Sequence, residues 1–233
     1  LQTPIFVMLD LDIGMQDWLC EPFVWDDNHR MDRGKVMSAA DLDAAKEFGR
    51  YVDRDGDGIP YRTIPGTHPR KGAFFTRGVL IDVAGAKGVE MLEDTYEITV
   101  PDIEAALKKQ NLTLQPGDAI IINTGRGKLW GKDNARYNKS APGIGVKAAE
   151  WLASKDPMLL GSDNWPVEVA PNPDPQLSLP VHQIALVVNG IHLLENLKLD
   201  ELAAKGVSEF AFIVEPLKIQ GGSGSTVAPI AVR

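Results

Sequence analysis

Apolar positions in this chain fall into short runs separated by polar, glycine and proline punctuation, and the character of the runs changes near residue 78. Beyond it, Gly78-Val-Leu-Ile-Asp-Val-Ala84, Ala119-Ile-Ile-Ile-Asn-Thr124 and Met158-Leu-Leu-Gly-Ser-Asp163 are nearly continuous apolar stretches of strand length, as expected for strands covered on both faces. Glu209 to Val214 and Pro229-Ile-Ala-Val232 read as further strands. Between them the spacing turns helical. Thr99 to Lys109 has an N-cap threonine and Pro101 in its first turn, Val146 to Ser154 is amphipathic, and Leu199 to Ala204 is a short helix. Gln115-Pro-Gly-Asp118 is a turn, Gly125 to Pro142-Gly143 a loop, and Asn172-Pro-Asp-Pro175 a proline-rich loop. Ile184 to Val188 is an apolar run whose length favours a strand, with a buried helical segment as the alternative. Alternation of strands and helices makes residues 79–233 an α/β domain.

The first 78 residues carry less of this pattern. Thr3 to Leu9 reads as a strand, and Ser38 to Phe48 as a helix with Ser38 as N-cap and Asp41 at the capping-box position. One strand and one helix bury too little apolar surface for this segment to fold alone. Asp53-Arg-Asp55-Gly-Asp57-Gly58 has the oxygen spacing that opens a calcium loop, but Ile64 stands where the closing glutamate belongs, which leaves a solvated turn. Gly221-Gly-Ser-Gly224 is a flexible loop near the end of the chain.

Composition narrows the function. A net charge of -8, with no interleaving of aromatics and basic runs, excludes the electrostatic footprint of a nucleic-acid or anionic-membrane binder. No apolar run reaches membrane-spanning length and nothing resembles a signal peptide. A single cysteine, Cys20, excludes an internal disulfide and a multi-cysteine zinc site, and a reducing, cytoplasmic compartment is the expectation.

The candidate chemistry lies between Pro180 and Leu199. Glu195 follows a mostly apolar run, where a carboxylate is costly unless a cation or a donor meets it. His182 precedes it by thirteen positions, with an Asn189-Gly190 turn between them. A histidine before a strand and a glutamate after the turn can meet as a ligand pair or an acid/base pair. In the alternative, Glu195 caps a helix and His182 hydrogen-bonds in the core. His192 is assigned to the core or surface rather than to a ligand set.

Two resemblances add to this reading. Leu9-Asp-Leu-Asp-Ile-Gly-Met15, Asp17-Trp18, Asp32-Arg-Gly-Lys35, Asp55-Gly-Asp-Gly-Ile-Pro-Tyr-Arg62 and Pro65-Gly-Thr-His-Pro69 make residues 1–78 similar to part of the alpha subunit of 2-oxoacid:ferredoxin oxidoreductases. The thiamine diphosphate and iron–sulfur machinery of those enzymes has no counterpart here, so that resemblance implies ancestry rather than activity. Residues 77–233 resemble the cyclase-like amidohydrolases, the group of bacterial kynurenine formamidases and isatin hydrolases. The resemblance rests on Arg77-Gly-Val-Leu-Ile-Asp-Val83, Leu114-Gln-Pro-Gly-Asp118, Thr124-Gly125, Gly161-Ser-Asp163, His182, Gly190-Ile191 and Glu195-Asn-Leu197.

This second resemblance implies a swivelling β/β/α fold, its N-terminal part replaced by a foreign segment. It also implies a hydrolase of amide, lactam or ester bonds in a small-molecule substrate, assisted by manganese or zinc. On it, His182 and Glu195 are catalytic and metal-binding residues, and Trp130, Asp163 and Asn164 lie near the substrate. The family's principal metal motif, His-x-Gly-Thr-His-x-Asp-x-x-x-His, is retained only at His68, because Ile64, Arg70 and Phe74 occupy the other ligand positions. That departure keeps two alternatives open. One is an inactive chimeric remnant acting as a binding or assembly module. The other is a metal-free hydrolase with His182 as base and Ser162 or Ser225 as nucleophile. A core shortened in this way exposes apolar surface, which implies a homo-oligomer.

Overall fold

The computed structural model describes strands at residues 5–8, 31–32 and 35–36 and the continuous segments 74–217 and 224–233. The helix read over Ser38–Phe48, the calcium-like loop, Cys20 and His68 lie outside the described residues. In chain order the elements begin with strands β1 (Ile5–Met8), β2 (Met31–Asp32), β3 (Lys35–Val36) and β4 (Phe74–Asp82). Helix α1 (Val83–Ala86), β5 (Glu97–Ile98), helix α2 (Val100–Gln110) and β6 (Ala119–Asn123) follow. Next come a 3-10 turn (Arg126–Leu129), α3 (Asn134–Lys139), β7 (Gly143–Ile144), α4 (Val146–Ala153) and β8 (Leu159–Ser162). Helix α5 (Pro180–His182) runs into a π-helical segment (Gln183–Val188), then β9 (His192–Glu195), α6 (Asp200–Ala204), β10 (Glu209–Val214), β11 (Ser225–Val227) and β12 (Ile230–Val232).

An eight-stranded sheet organises these elements in the order β11-β1-β9-β8-β6-β4-β10-β12. Its centre, β9-β8-β6-β4, is parallel, and β10, β12, β1 and β11 extend it antiparallel. Successive residues of the parallel strands point to opposite faces, and both faces are buried. Val79, Ile81, Ile120, Ile122, Leu160 and Leu193 meet the helical layer through Ile103, Ala106, Ala149, Leu152, Val181 and Ala185. Leu80, Ile121, Leu159 and Leu194 face a second cluster with Val207, Phe210 and Phe212. This two-sided burial is why the central strands read as nearly unbroken apolar runs. Among the described residues no helix is long and apolar enough to cross a membrane.

The structure corrects the expected elements in two places. The stretch read as one loop from Gly125 to Pro142 contains the 3-10 turn and α3, whose N-cap Asp133 accepts the backbone N–H of Arg136 at 3.0 Å. The apolar run after His182 is helical, not a strand. Leu179-Pro180 opens a helix with proline in its first turn, and the chain stays helical to Val188. The run's length is ambiguous between the two states, and packing against α4 decides it.

The cap of α2 yields a stability prediction. Asp102 accepts the Thr99 N–H at 2.9 Å and the Thr99 hydroxyl at 2.7 Å, and pairs with Lys87 at 2.6 Å. Burial pushes its carboxyl up, but Lys87 and the Thr99 donors outweigh it and bring the pKa from 3.8 to about 2. The group is depressed on folding, so its stabilisation is complete above pH 3.8 and is lost as pH falls through about 2. Asp102→Ala is expected to cost about 1 kcal/mol in urea unfolding at pH 7, and little at pH 2.

Candidate active site

Four parallel neighbours end on the same edge of the sheet, and each ends in a polar residue. These are Asp82 on β4, Asn123 on β6, Ser162 on β8, with Asp163 just after it, and Glu195 on β9. The carboxyl edge of a parallel sheet is where α/β folds place ligands, because the loops there diverge and helix N-termini approach.

Glu195 is fully buried at this edge, at the end of a strand rather than at a helix cap. His182, also fully buried, reaches it from α5, with Nε2 3.4 Å from Glu195 Oε1. That separation gives strong attraction in a buried setting, but the geometry is not that of a hydrogen bond. His182 Nε2 and both Glu195 carboxylate oxygens have no hydrogen-bond partner among the described residues. On its other side His182 meets a residue that sequence reasoning missed. Glu168, fully buried, places Oε1 2.6 Å from His182 Nδ1. The same carboxylate accepts the backbone N–H groups of Val181 at 3.0 Å and His182 at 3.1 Å. Its signal was available: Glu168 interrupts the apolar run Trp165-Pro-Val-Glu-Val-Ala170, much as Glu195 follows its own.

The electrostatics follow from burial and proximity. Burial pulls the His182 imidazole down, but Glu168 and Glu195 outweigh it and raise the pKa from 6.5 to about 9. Burial lifts the Glu195 carboxyl to about 7 against the opposing pull of His182. The arrangement is a desolvated carboxylate–imidazole–carboxylate row that can hold a cation or relay a proton.

The other candidates occupy distinct positions. Asp163 is buried and accepts the Thr124 N–H at 2.9 Å, the Thr124 hydroxyl at 2.7 Å and the Gly127 N–H at 3.0 Å. It thereby ties the end of β8 to the turn after β6. Burial pushes its carboxyl up while these donors oppose the shift. Asn164 donates to the carbonyls of Pro142 and Val167 and accepts the Val167 N–H at 2.7 Å. Trp130 is 40% exposed and packs edge-on against Tyr137, with ring centroids 5.2 Å apart. The Tyr137 hydroxyl donates to Asn196 Oδ1 at 2.6 Å, so Trp130 is linked to the residue beside Glu195. His192 begins β9, and about 10 Å of strand separates it from Glu195. Its ring packs against Phe74 at 5.0 Å, and burial lowers its pKa to about 4. Ser162 Oγ lies 3.5 Å from Asp163 Oδ1, and Ser225 Oγ accepts the Leu217 N–H at 3.0 Å. His68 lies outside the described residues.

The family model described as Putative cyclase matches residues 42–169, more than half of the chain. Residues 42–78 fall inside that match, which gives no support to the oxidoreductase-like reading of the N-terminal segment. A novel cyclase of known crystal structure is 33% identical with a TM-score of 0.62, over 76% of this chain and 62% of its own. Isatin hydrolase A from Ralstonia solanacearum is 22% identical with a TM-score of 0.57, over 82% of this chain and 69% of its own. Isatin hydrolase A from Labrenzia aggregata, bound to benzyl benzoate, is 24% identical with a TM-score of 0.53, over 69% of this chain and 62% of its own. The chain thus spans about 62% of the length of the novel cyclase, and with the two isatin hydrolases it shares the fold. Comparison with curated proteins returns no match. By the family match and the shared sheet architecture, the chain belongs to the putative cyclase family.

Proposed function

We propose that the protein is a metal-assisted hydrolase acting on an amide, lactam or ester bond of a small molecule. The observation that carries this reading is the buried His182–Glu195 pair, whose facing atoms lack hydrogen-bond partners among the described residues. Three desolvated polar atoms without a hydrogen bond are costly unless something meets them. An imidazole nitrogen and a carboxylate form a donor set suited to zinc or manganese. A catalytic ion takes about three protein ligands, and the described residues contain no group of three histidine, cysteine or acidic side chains placed to hold one. We assign the third position to His68. A bound divalent ion would supply Lewis acidity, which polarises a carbonyl and makes water a stronger nucleophile.

The chain's own residues supply the setting. Burial of His182 and Glu195 keeps bulk water from screening them. Trp130 offers a half-exposed apolar face for a flat substrate, braced by Tyr137. Asp163 and Asn164 shape the loops on either side, through their bonds to Thr124, Gly127 and Val167.

Elemental analysis and a hydrolysis panel of anilides, lactams and esters test this reading. Manganese or zinc is expected at about one equivalent or more, with turnover abolished by a chelator and restored by the ion. Full turnover in chelated protein would count against metal assistance. No ion and no turnover would favour a binding or assembly module.

A further inference from the structure

We propose that Glu168 is a positioning residue, which locks the His182 ring so that Nε2 is aimed at the Glu195 carboxylate. The proposal rests on the reading of His182 and Glu195 as the functional pair. Its support is the number and direction of the contacts. Glu168 Oε2 accepts the Val181 N–H, and Oε1 accepts the His182 N–H and faces His182 Nδ1. One carboxylate therefore holds both the backbone that carries the ring and the ring itself. With backbone and Nδ1 both fixed, rotation of the imidazole would break the 2.6 Å contact in a site with no solvent to replace it.

The backbone that presents Glu168 points the same way. Val167, buried and β-branched, has φ 61°, a conformation such residues rarely adopt. Strain of this kind persists only where the surroundings over-determine it, and it gathers at functional sites. Here the surroundings are Asn164, which bonds both the N–H and the carbonyl of Val167 and also reaches Pro142. Gly143 completes the device. A Cβ there would lie 2.3 Å from the Glu168 carbonyl carbon and 2.5 Å from the Val167 oxygen, so the two segments approach only because residue 143 has no side chain. Asn164, Val167 and Gly143 together bring Glu168 to the ring.

The test separates this role from the metal reading. In ion-free wild-type protein, 1H–15N spectra should show a far-downfield, slowly exchanging His182 Nδ1–H resonance, as a short buried bond to a carboxylate requires. Glu168→Gln keeps the volume but turns a donor toward backbone N–H groups, and Glu168→Ala removes the acceptor; both should lose the resonance. Calorimetric titration with Zn2+ alone should show Kd weakened about 10–100-fold in both variants. Asn164→Ala should give a smaller shift of the same kind. Absence of the resonance from wild type, or its persistence in Glu168→Ala together with wild-type Zn2+ affinity, would overturn the proposal. If wild type binds no Zn2+, the metal reading fails while the resonance still decides the role of Glu168. If Glu168→Ala does not fold, the wild-type spectrum and Glu168→Gln carry the test.

Discussion

Replacing His182 with alanine is expected to reduce kcat/KM by about 10^3-fold or more and to cost about 3–5 kcal/mol of stability. The first effect follows from removing one of the two groups that face each other at the sheet edge, 3.4 Å apart. The second follows from what is left behind. Glu168 loses its ring partner and Glu195 the imidazole 3.4 Å from it, and both are fully buried. An uncompensated carboxylate in the interior is much more costly than a lost surface pair.

The pH dependence of this effect has a definite sign. His182 is raised on folding, from 6.5 to about 9, so its stabilisation is complete below pH 6.5 and is lost as pH rises through about 9. Wild-type protein stripped of divalent ions should therefore melt at lower temperature as pH rises across that window. Glu195, raised from 4.5 to about 7, adds to the slope at its acid end, so the part between about 7 and 9 reports His182. Scanning calorimetry from pH 6 to 10 measures it, and a flat profile from 7 to 9 would place the titrating group elsewhere.

Replacing Arg126 with alanine is expected to cost about 3–5 kcal/mol, chiefly through the carbonyls it abandons. The guanidinium is fully buried and donates to Asp94 at 2.7 Å, to the Ser140 carbonyl at 2.8 Å and to the Arg136 carbonyl. Asp94 is 38% exposed and retains Arg136 at 2.6 Å, so it can be satisfied after the change. The Ser140 carbonyl loses a charged donor in a buried place, the Arg136 carbonyl loses one in a partly buried place, and a large cavity is left. These contacts join the 3-10 turn to the middle and the C-cap of α3, which carries Tyr137 under Trp130. Loosening them should raise KM more than it lowers kcat. Urea unfolding and steady-state kinetics with the best substrate of the panel check the two parts. Arg126→Lys should recover little, because an ammonium cannot reach three separated acceptors in the fixed fork that the guanidinium provides.

The elements that were legible in the sequence are those whose signals are local. Thr99 and Pro101 marked the start of α2, and the continuous runs at 79–83 and 119–122 marked strands covered on both faces. A buried carboxylate was legible where it broke a local pattern, as Glu195 does after its apolar run. The run after His182 was not legible, because six apolar-rich residues satisfy a strand and a helical segment equally well until a neighbouring helix selects one. The segment from 126 to 139 was hidden for a related reason. Its helix is short, and it is held by Arg126 at its core rather than by a periodic apolar face.

By itself, then, the amino-acid order determined the α/β class, the main central strands and the presence of a histidine and a glutamate in an apolar setting, since propensity, capping and periodicity act over a few residues. Only the tertiary structure decided that Glu168, fourteen positions before His182, completes the row, and that Asp163 and Asn164 bond to backbone groups of neighbouring loops. Those contacts depend on which strand ends lie side by side and on the backbone bend at Val167. Both are set by packing across the whole sheet, and a linear pattern carries no record of either.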